Sequence, residues 1–427
     1  MGEKLATKQH MFQYYFRKLR QEEDRDPEWS AAKTLGCGRS DLVAVTETWD
    51  QISADAMRFA FGQQIQQAKI EPSSLYGLVP ADPPMWRSVD FGNGAVRVPL
   101  NVTATFPAGR VSKAKLVVRA HDLHNQTIVT VWSAPDDDER AHEYLEDLKA
   151  AVIGPSCPYR NRILEATWVQ GLTLQVVTDL ADSREQLVFA EEIWDAVDRN
   201  VTRMVERMDR LTKSGLGGNR GLMLAGPPGT GKTALCRSIA ADYVGTCTVF
   251  LASAKTGAFA LNQLYRLAGD LSPALVLLED LDLLVGDREG QGQQAALVDF
   301  LTVLDGLMTG HSGVITVATT NDVASIDAAA QRAARFDQIV DIDLPGPAQR
   351  VEILRRYLEG VPNDIDPSRF AEATTAMSGA DIRELVRSAV LDAETEQIGD
   401  CDLDDAVALW RRFRDEQEQR VGLGGYA

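Results

Sequence analysis

Gly226-Pro227-Pro228-Gly229-Thr230-Gly231-Lys232-Thr233 decides the reading of this chain. The stretch follows the pattern G-x-x-x-x-G-K-[ST], a phosphate-binding loop. Its glycines let the backbone wrap closely around a phosphate chain with N–H groups pointing inward. Lys232 supplies a point charge for the β- and γ-phosphates, and Thr233 supplies a hydroxyl for Mg²⁺. The flanks agree with this reading. Gly221–Ala225 (GLMLA) is a short apolar strand, and Ala234–Val244 continues as an apolar-faced helix that aims its positive N-terminus at the anion.

The chain has 427 residues, enough for two or three domains with ample core. Its 44 basic and 62 acidic residues give a net charge of -18, which disfavours nucleic acid or an anionic membrane as a partner of the whole chain. The five cysteines (Cys37, Cys157, Cys236, Cys247 and Cys401) form no C-x-x-C pair, so neither a zinc knuckle nor a disulfide framework is indicated. A reducing cytoplasm is the expected location. The N-terminus lacks the apolar core of a signal peptide, and no apolar run approaches the ~20 residues of a membrane span.

Outward from the loop toward the N-terminus, residues 1–80 read as a helical region. Lys4–Glu22 mixes aromatics with basic residues, and Ser40 to Lys69 carries Leu42, Val45, Trp49, Ile52, Met57 and Phe61 at helical spacing. Residues 85–180 read as a small α+β domain. Val96, Val98, Leu100, Val102, Ala104 and Phe106 alternate as in a half-buried strand. Leu116–Ala120 and Thr127–Trp132 give two more strands. Glu139–Ile153 is a helix with Ala141, Tyr144, Leu145, Leu148 and Val152 on one face. Ile163–Val169 and Leu172–Val177 look like a hairpin. His121, Asp122 and His124 are metal-ligand types set close together, but a solvated turn is the expected reading because no further ligand is near. Asp182–Lys213 then leads to the loop, with Ile193, Val197, Val201, Met204, Met208 and Leu211 at helical spacing.

Beyond the loop, Val249–Ala252 is a second strand and Leu275–Leu278 a third, ending in Glu279-Asp280-Leu281-Asp282. An apolar strand ending in acids suits phosphate hydrolysis: one carboxylate holds the Mg²⁺ shell, and a second polarises water. Gly313–Thr320 is a fourth strand, ending at Asn321, whose side chain is a candidate for reaching the γ-phosphate or the water. Arg332 and Arg335 precede Phe336-Asp337 and a fifth strand, Gln338–Leu344, and are natural donors to a phosphoryl group across a subunit interface.

GPPGTGKT, LLEDLD, ATTN, the RxxRFD of Arg332–Asp337 and the SGAD of Ser378–Asp381 together resemble the AAA ATPases, in the clade of proteasomal ATPases, membrane-bound AAA proteases and katanin-type severing enzymes. The resemblance covers roughly residues 185–415. It implies an α/β fold: an AAA+ module with a parallel sheet in the order 5-1-4-3-2 (residues 181–344), followed by a helical lid (345–427). It implies ATP and Mg²⁺ as ligands and a homo-oligomeric, hexamer-like ring with sites between subunits. The nucleotide-binding run is then Pro228, Gly229, Thr230, Gly231, Lys232, Thr233 and Ala234, with Thr233 and Glu279 toward Mg²⁺. By the same resemblance Asp280 would activate water, Asn321 would be sensor 1, and Arg332 and Arg335 would be fingers acting in trans. Ala380, in the helix opened by Ser378–Asp381, faces the nucleotide.

Two departures accompany the likeness. The usual Asp-Glu order is Glu279-Asp280 here, similar to the mitochondrial AAA translocase of the Rieske iron–sulfur protein, and it puts a base one methylene shorter beside the water. Ser253–Leu261 (SAKTGAFAL) lacks the aromatic–hydrophobic–Gly tripeptide that grips a threaded polypeptide; Phe259 is the one aromatic in it. Two classes of function therefore fit: a ring ATPase that remodels a protein substrate or adaptor bound through residues 1–180, or a nucleotide-gated assembly scaffold with slow hydrolysis.

Overall fold

The computed structural model describes residues 27–68, 84–123, 126–168, 172–180, 183–253, 258–284, 313–321 and 336–423. They divide into two compact units, one of residues up to 162 with 168–176, the other of residues 163–167 and those from 177 onward. Lys4–Glu22 lies outside the described residues.

The first unit runs α1 (Pro27–Leu35), β1 (Val43–Trp49), α2 (Gln51–Gln67), β2 (Met85–Asp90), β3 (Ala95–Phe106), β4 (Leu116–Leu123), β5 (Gln126–Ser133) and α3 (Asp138–Ile153). Its sheet has the order β1-β5-β4-β3-β2, with antiparallel neighbours. Successive residues of a strand point to opposite faces, so adjacent pairs serve different layers. Val117 pairs with Trp132, and both pack against Ala31 and Leu35 of α1. The α3 face of Ala141, Tyr144, Leu145, Leu148 and Val152 is buried as its spacing requires. Tyr144 donates its hydroxyl to Gln64 of α2 (2.5 Å) and stacks at a tilt on Phe106 of β3, centroids 5.8 Å apart.

The helix expected from Ser40 to Lys69 is corrected. Val43–Trp49 is a strand, running from Val43 opposite Ser133 to Trp49 opposite Thr127. Its β-branched Val43, Val45, Thr46 and Thr48 lose side-chain freedom in a helix and fit a pleated sheet. The helix starts only at Gln51, where the Asp50 carboxylate accepts from the Ser53 N–H (2.8 Å). A strand before residue 80 thus pairs with one beyond 85, and the sheet crosses the boundary expected there. Of the metal-ligand types at 121–124, His121 and Asp122 lie in β4 and His124 lies outside the described residues; the Asp122 carboxylate accepts from the buried Arg58 guanidinium and from Thr127 Oγ1 (2.8 Å).

The chain then passes through β6 (Ile163–Trp168), nearly all of it in the second unit, and β7 (Leu172–Val177), nearly all of it in the first; the second unit goes on with α4 (Glu191–Val197), a π-helical turn (Asp198–Thr202), α5 (Arg203–Lys213), β8 (Arg220–Ala225), α6 (Lys232–Asp242), β9 (Thr248–Ser253), α7 (Ala258–Asp270), β10 (Ala274–Glu279), β11 (Val314–Thr320) and β12 (Gln338–Asp341). The strands are ordered β12-β8-β11-β10-β9, which is the expected 5-1-4-3-2, and all pairs are parallel. Leu222, Leu224, Leu275, Leu277, Ile315 and Val317 are fully buried and meet Leu235 and Ile239 of α6. A sheet covered on both faces needs such unbroken apolar runs, and each of these side chains contributes about 1.5–3 kcal/mol.

The two strands expected as a hairpin over residues 163–177 are neighbours in the sheet order, and β6 also lies parallel beside β9, Ile163 opposite Val249 and Ala166 opposite Ala252, so the parallel sheet extends past its expected edge. The chain ends in α8 (Pro347–Leu358), α9 (Gly379–Asp392) and α10 (Asp400–Leu423), which share a core of Leu354, Leu358, Phe370, Ile382, Leu385, Leu403 and Val407.

One buried charge tests the first unit. Arg58 is 5% exposed and bonds Asp55 (2.7 Å), Asp122 and Thr127 (2.5 Å). Removing it strands the partly buried Asp55 carboxylate and the buried Thr127 hydroxyl, so Arg58→Ala should cost about 2–4 kcal/mol in urea unfolding. A loss under about 1 kcal/mol would contradict that account.

Candidate functional site

The site begins where β8 leaves the sheet. Gly226 N–H donates to Thr320 O of β11 (3.2 Å), and the loop then climbs to the first turn of α6. Two glycines are required by what surrounds them. Gly231, at φ +94°, is the left-handed residue from which α6 starts. Gly229, at φ +80°, would put a Cβ 2.6 Å from Ser378 Oγ and 3.1 Å from Ala380 Cβ. That crowding is the contact between the loop and α9, and Ala380 N–H closes it by donating to Gly229 O (3.1 Å). Ser378 caps α9 reciprocally with Asp381: Ser378 N–H donates to the Asp381 carboxylate (2.7 Å), and Asp381 N–H donates back to Ser378 Oγ (3.2 Å).

Lys232 is 6% exposed. Its ammonium donates to Gly226 O (2.7 Å) and Pro227 O (2.8 Å), so the loop's own carbonyls hold the charge. Burial pulls its pKa below the ordinary lysine value, opposed by the negative charges of Asp282 and then Asp280. Thr230 Oγ1 donates to Pro227 O (2.9 Å) and tightens the same turn. Pro228 and Thr233 are exposed and Ala234 half-buried, at the mouth of the loop.

The acids stand at the end of β10, between β9 and β11. Glu279 is its last residue, with the Thr233 hydroxyl near enough to favour its charged form. Burial pushes the Glu279 carboxyl above its ordinary value; Arg237 and Thr233 oppose this, while Asp280 and Glu165 add to it. Asp280 adopts φ +56°, a left-handed conformation that Asp tolerates better than most residues. Its N–H donates to Thr319 Oγ1 of β11 (3.0 Å). Asn321 follows β11 directly and is exposed. The loop, Glu279, Asp280 and Asn321 are thus all carried by the same ends of neighbouring parallel strands. Arg332, Arg335 and residues 254–257 lie outside the described residues, as does the Phe259 side chain. The segment after the arginines is anchored at Phe336, which is buried, and at Asp337, which accepts from Gly221 N–H (2.8 Å) and pairs with Arg220 (2.9 Å).

These donors fit a nucleoside triphosphate. A glycine-rich turn, a buried ammonium and a helix start suit phosphates, and a hydroxyl beside a carboxylate supplies the hard oxygen ligands that Mg²⁺ prefers. Three contacts escaped the sequence reading. Asp282 accepts from Thr320 Oγ1 (3.2 Å) and Asn321 N–H (2.9 Å). Phe189 lies 3.1 Å from where a Gly231 Cβ would be and packs edge-on to Trp194. Arg356 of α8 donates to Glu185 O. Only Asp282 carried a signal, as the last acid of its cluster.

Residues 222–344 match a family model described as the ATPase family associated with various cellular activities (AAA). The ATP-dependent zinc metalloprotease FtsH of Hahella chejuensis is 34% identical over 216 residues, covering 46% of this chain and 35% of that protein. Protein CdcH of Halobacterium salinarum is 33% identical over 204 residues, covering 45% of this chain and 27% of CdcH. YME1, a subunit of the mitochondrial inner membrane i-AAA protease supercomplex of Saccharomyces cerevisiae, is 33% identical over 190 residues, covering 41% and 25%. The chain therefore spans only 25% to 35% of the length of these relatives. A solved structure on the structural basis for katanin self-assembly is similar at a TM-score of 0.44 and 24% identity, over 53% of this chain and 84% of that one.

The Glu279 shift has a sign that can be checked. The folded state holds a proton on Glu279 to higher pH than the unfolded chain does. Ionisation therefore costs stability as pH rises above the unfolded carboxyl value of about 4.3. Glu279→Gln keeps an oxygen toward Thr233, so it should raise the nucleotide-free melting temperature at neutral pH, with the gain shrinking toward pH ~4. An equal or lower melting temperature at neutral pH would contradict this.

Proposed function

With residues 222–344 an AAA domain, the chain is a member of the AAA ATPase family, and we propose that it hydrolyses ATP between the subunits of a homo-oligomeric, hexamer-like ring to remodel a bound protein. The observation that carries the reading is the buried Lys232 in its glycine loop, facing the acids that end β10.

In this reading the backbone N–H groups of Gly229, Thr230, Gly231, Lys232 and Thr233 bind the phosphates, and Lys232 moves its charge from the Gly226 and Pro227 carbonyls to the β- and γ-phosphates. Thr233 and Glu279 are the residues that would hold Mg²⁺, and the ion would supply charge neutralisation on the phosphate oxygens. A cation there would need Glu279 ionised, and its charge would offset the burial that otherwise favours the proton. Asp280 orients the attacking water and takes its proton; Asn321 hydrogen-bonds the γ-phosphate or that water. Arg332 and Arg335 stabilise the transferring phosphoryl group in a neighbour's site. Ala380, one hydrogen bond from Gly229, lets the lid register what the loop holds.

Residues 1–180 are proposed to recruit the protein substrate or adaptor. Nucleic acid is disfavoured by the net charge of -18. The free state of all five cysteines supports a cytoplasmic location, and no helix among the described residues is long and apolar enough to cross a membrane. FtsH is named a zinc metalloprotease, but the match covers 35% of it, and the proposal takes from it the ATPase alone. A second reading, a nucleotide-gated scaffold with slow turnover, is favoured by the short Asp280 side chain in the water-activating place.

ATPase rate per subunit against protein concentration tests the proposal, with Asp280→Asn alongside. Asn tolerates the same left-handed backbone, so the variant should bind ATP and assemble while its turnover falls by about a hundredfold or more. The wild-type rate per subunit should rise with concentration, as sites completed in trans demand. A flat rate near zero with ATP bound, or an unchanged Asp280→Asn, would favour the scaffold.

A further inference from the structure

We propose that Asp282 is a positioning residue for hydrolysis, fixing Asn321 against the acidic end of β10 through its carboxylate oxygen. The inference rests on the ATPase reading above and deepens it.

The end of β11 poses a problem of backbone satisfaction. The strand is paired with β10 as far as Ala318 and with β8 as far as Thr320, which stands opposite Ala225 and whose carbonyl accepts from Gly226 N–H. The next residue, Asn321, has left the ladder, and it is the residue that must present its side chain accurately. Its N–H is taken up by Asp282 Oδ1 at 2.9 Å, and the same oxygen accepts from Thr320 Oγ1 at 3.2 Å. Asp282 is itself held. It sits on a single 3-10 turn, Leu281–Leu284, whose Leu281 is fully buried and whose Leu283 N–H returns to Asp280 O (3.0 Å).

A second link runs the opposite way between the same strand ends. Thr319 Oγ1, on a fully buried side chain, accepts from Asp280 N–H at 3.0 Å. The two links fix the backbone of Asp280, which carries the water-activating carboxylate, relative to that of Asn321. Hydrolysis needs both side chains on one water and one phosphate, and small misplacements of such groups cost up to about a hundredfold in rate. Asp282 itself touches neither reacting atom in this account and acts through Asn321.

The carboxylate has a second possible use, because its charge also bears on Lys232. The two uses separate by chemistry. Asp282→Asn keeps an Oδ1 that accepts from Thr320 and Asn321 but removes the charge. Asp282→Ala removes both.

The test measures kcat, KM and equilibrium ATP binding in the full chain for Asp282→Ala, Asp282→Asn, Asn321→Ala and the double variant Asp282→Ala/Asn321→Ala. Asp282→Ala is expected to lower kcat by about tenfold or more while ATP affinity stays within about threefold. Asp282→Asn should stay within about threefold of wild type, and the double variant should be no slower than Asn321→Ala alone, since residues acting as one unit are not additive. The proposal is overturned if Asn321→Ala loses kcat and Asp282→Ala does not, if the two losses multiply, or if Asp282→Asn falls as far as Asp282→Ala. Should Asp282→Ala fail to fold, Asp282→Ser, whose oxygen is too short to reach Asn321, takes its place with the same criteria. Wild-type kcat in Asn321→Ala is a different failure: it overturns the sensor role of Asn321, and the role of Asp282 with it.

Discussion

A buried ammonium is the constraint on which the second unit depends. Lys232 is 6% exposed, and a cation in that position is expensive unless carbonyls or anions surround it. The Gly226 and Pro227 carbonyls can turn toward it only because the loop bends tightly between β8 and α6. The acids that ease its burial come from just past the end of β10, the next strand but one from β8, where Asp280 and Asp282 follow it. A phosphate chain provides the anion this arrangement is built around. The sheet order, the glycines and the acidic strand end are thus parts of one electrostatic solution.

The other polar contacts make that solution stiff. Thr319 and Asp282 tie the ends of β10 and β11 together, and Ala380 ties α9 to the loop at Gly229. Each such bond contributes roughly 0.5–1.5 kcal/mol, so their weight lies in placement more than in stability. The apolar strands beneath them supply the stability. Helices α8 to α10 have their own core around Phe370, Leu385 and Leu403, and Ala380 N–H of α9 reaches the loop at Gly229 O.

Much of this was legible in the sequence, and the reasons are local. The loop motif needs glycine and lysine at fixed spacing, so Gly229, Gly231 and Lys232 announce themselves. The apolar runs that end in Glu279 and Asn321 set the strands on either side. Val43–Trp49 reads as helix because its apolar residues also meet helical spacing with those of α2, and only its β-branched residues, together with pairing to residues about 80 to 90 positions away, make it a strand. The pairing of β6 with β9 has no local signature at all, since parallel neighbours are joined by distant chain. Asp282 was visible as an acid, but its partner lies 39 positions later, and a single hydrogen bond across that distance leaves no pattern.

The most direct test is equilibrium ATP binding to the full chain and to Lys232→Ala. If the buried ammonium is the centre of a phosphate site, wild type binds ATP and the variant binds it at least about thirtyfold more weakly, the loss expected of a desolvated charge-assisted contact of 2 kcal/mol or more. Undiminished affinity in Lys232→Ala would mean that the loop after β8 is not where the nucleotide is held, and the account would fail at its centre.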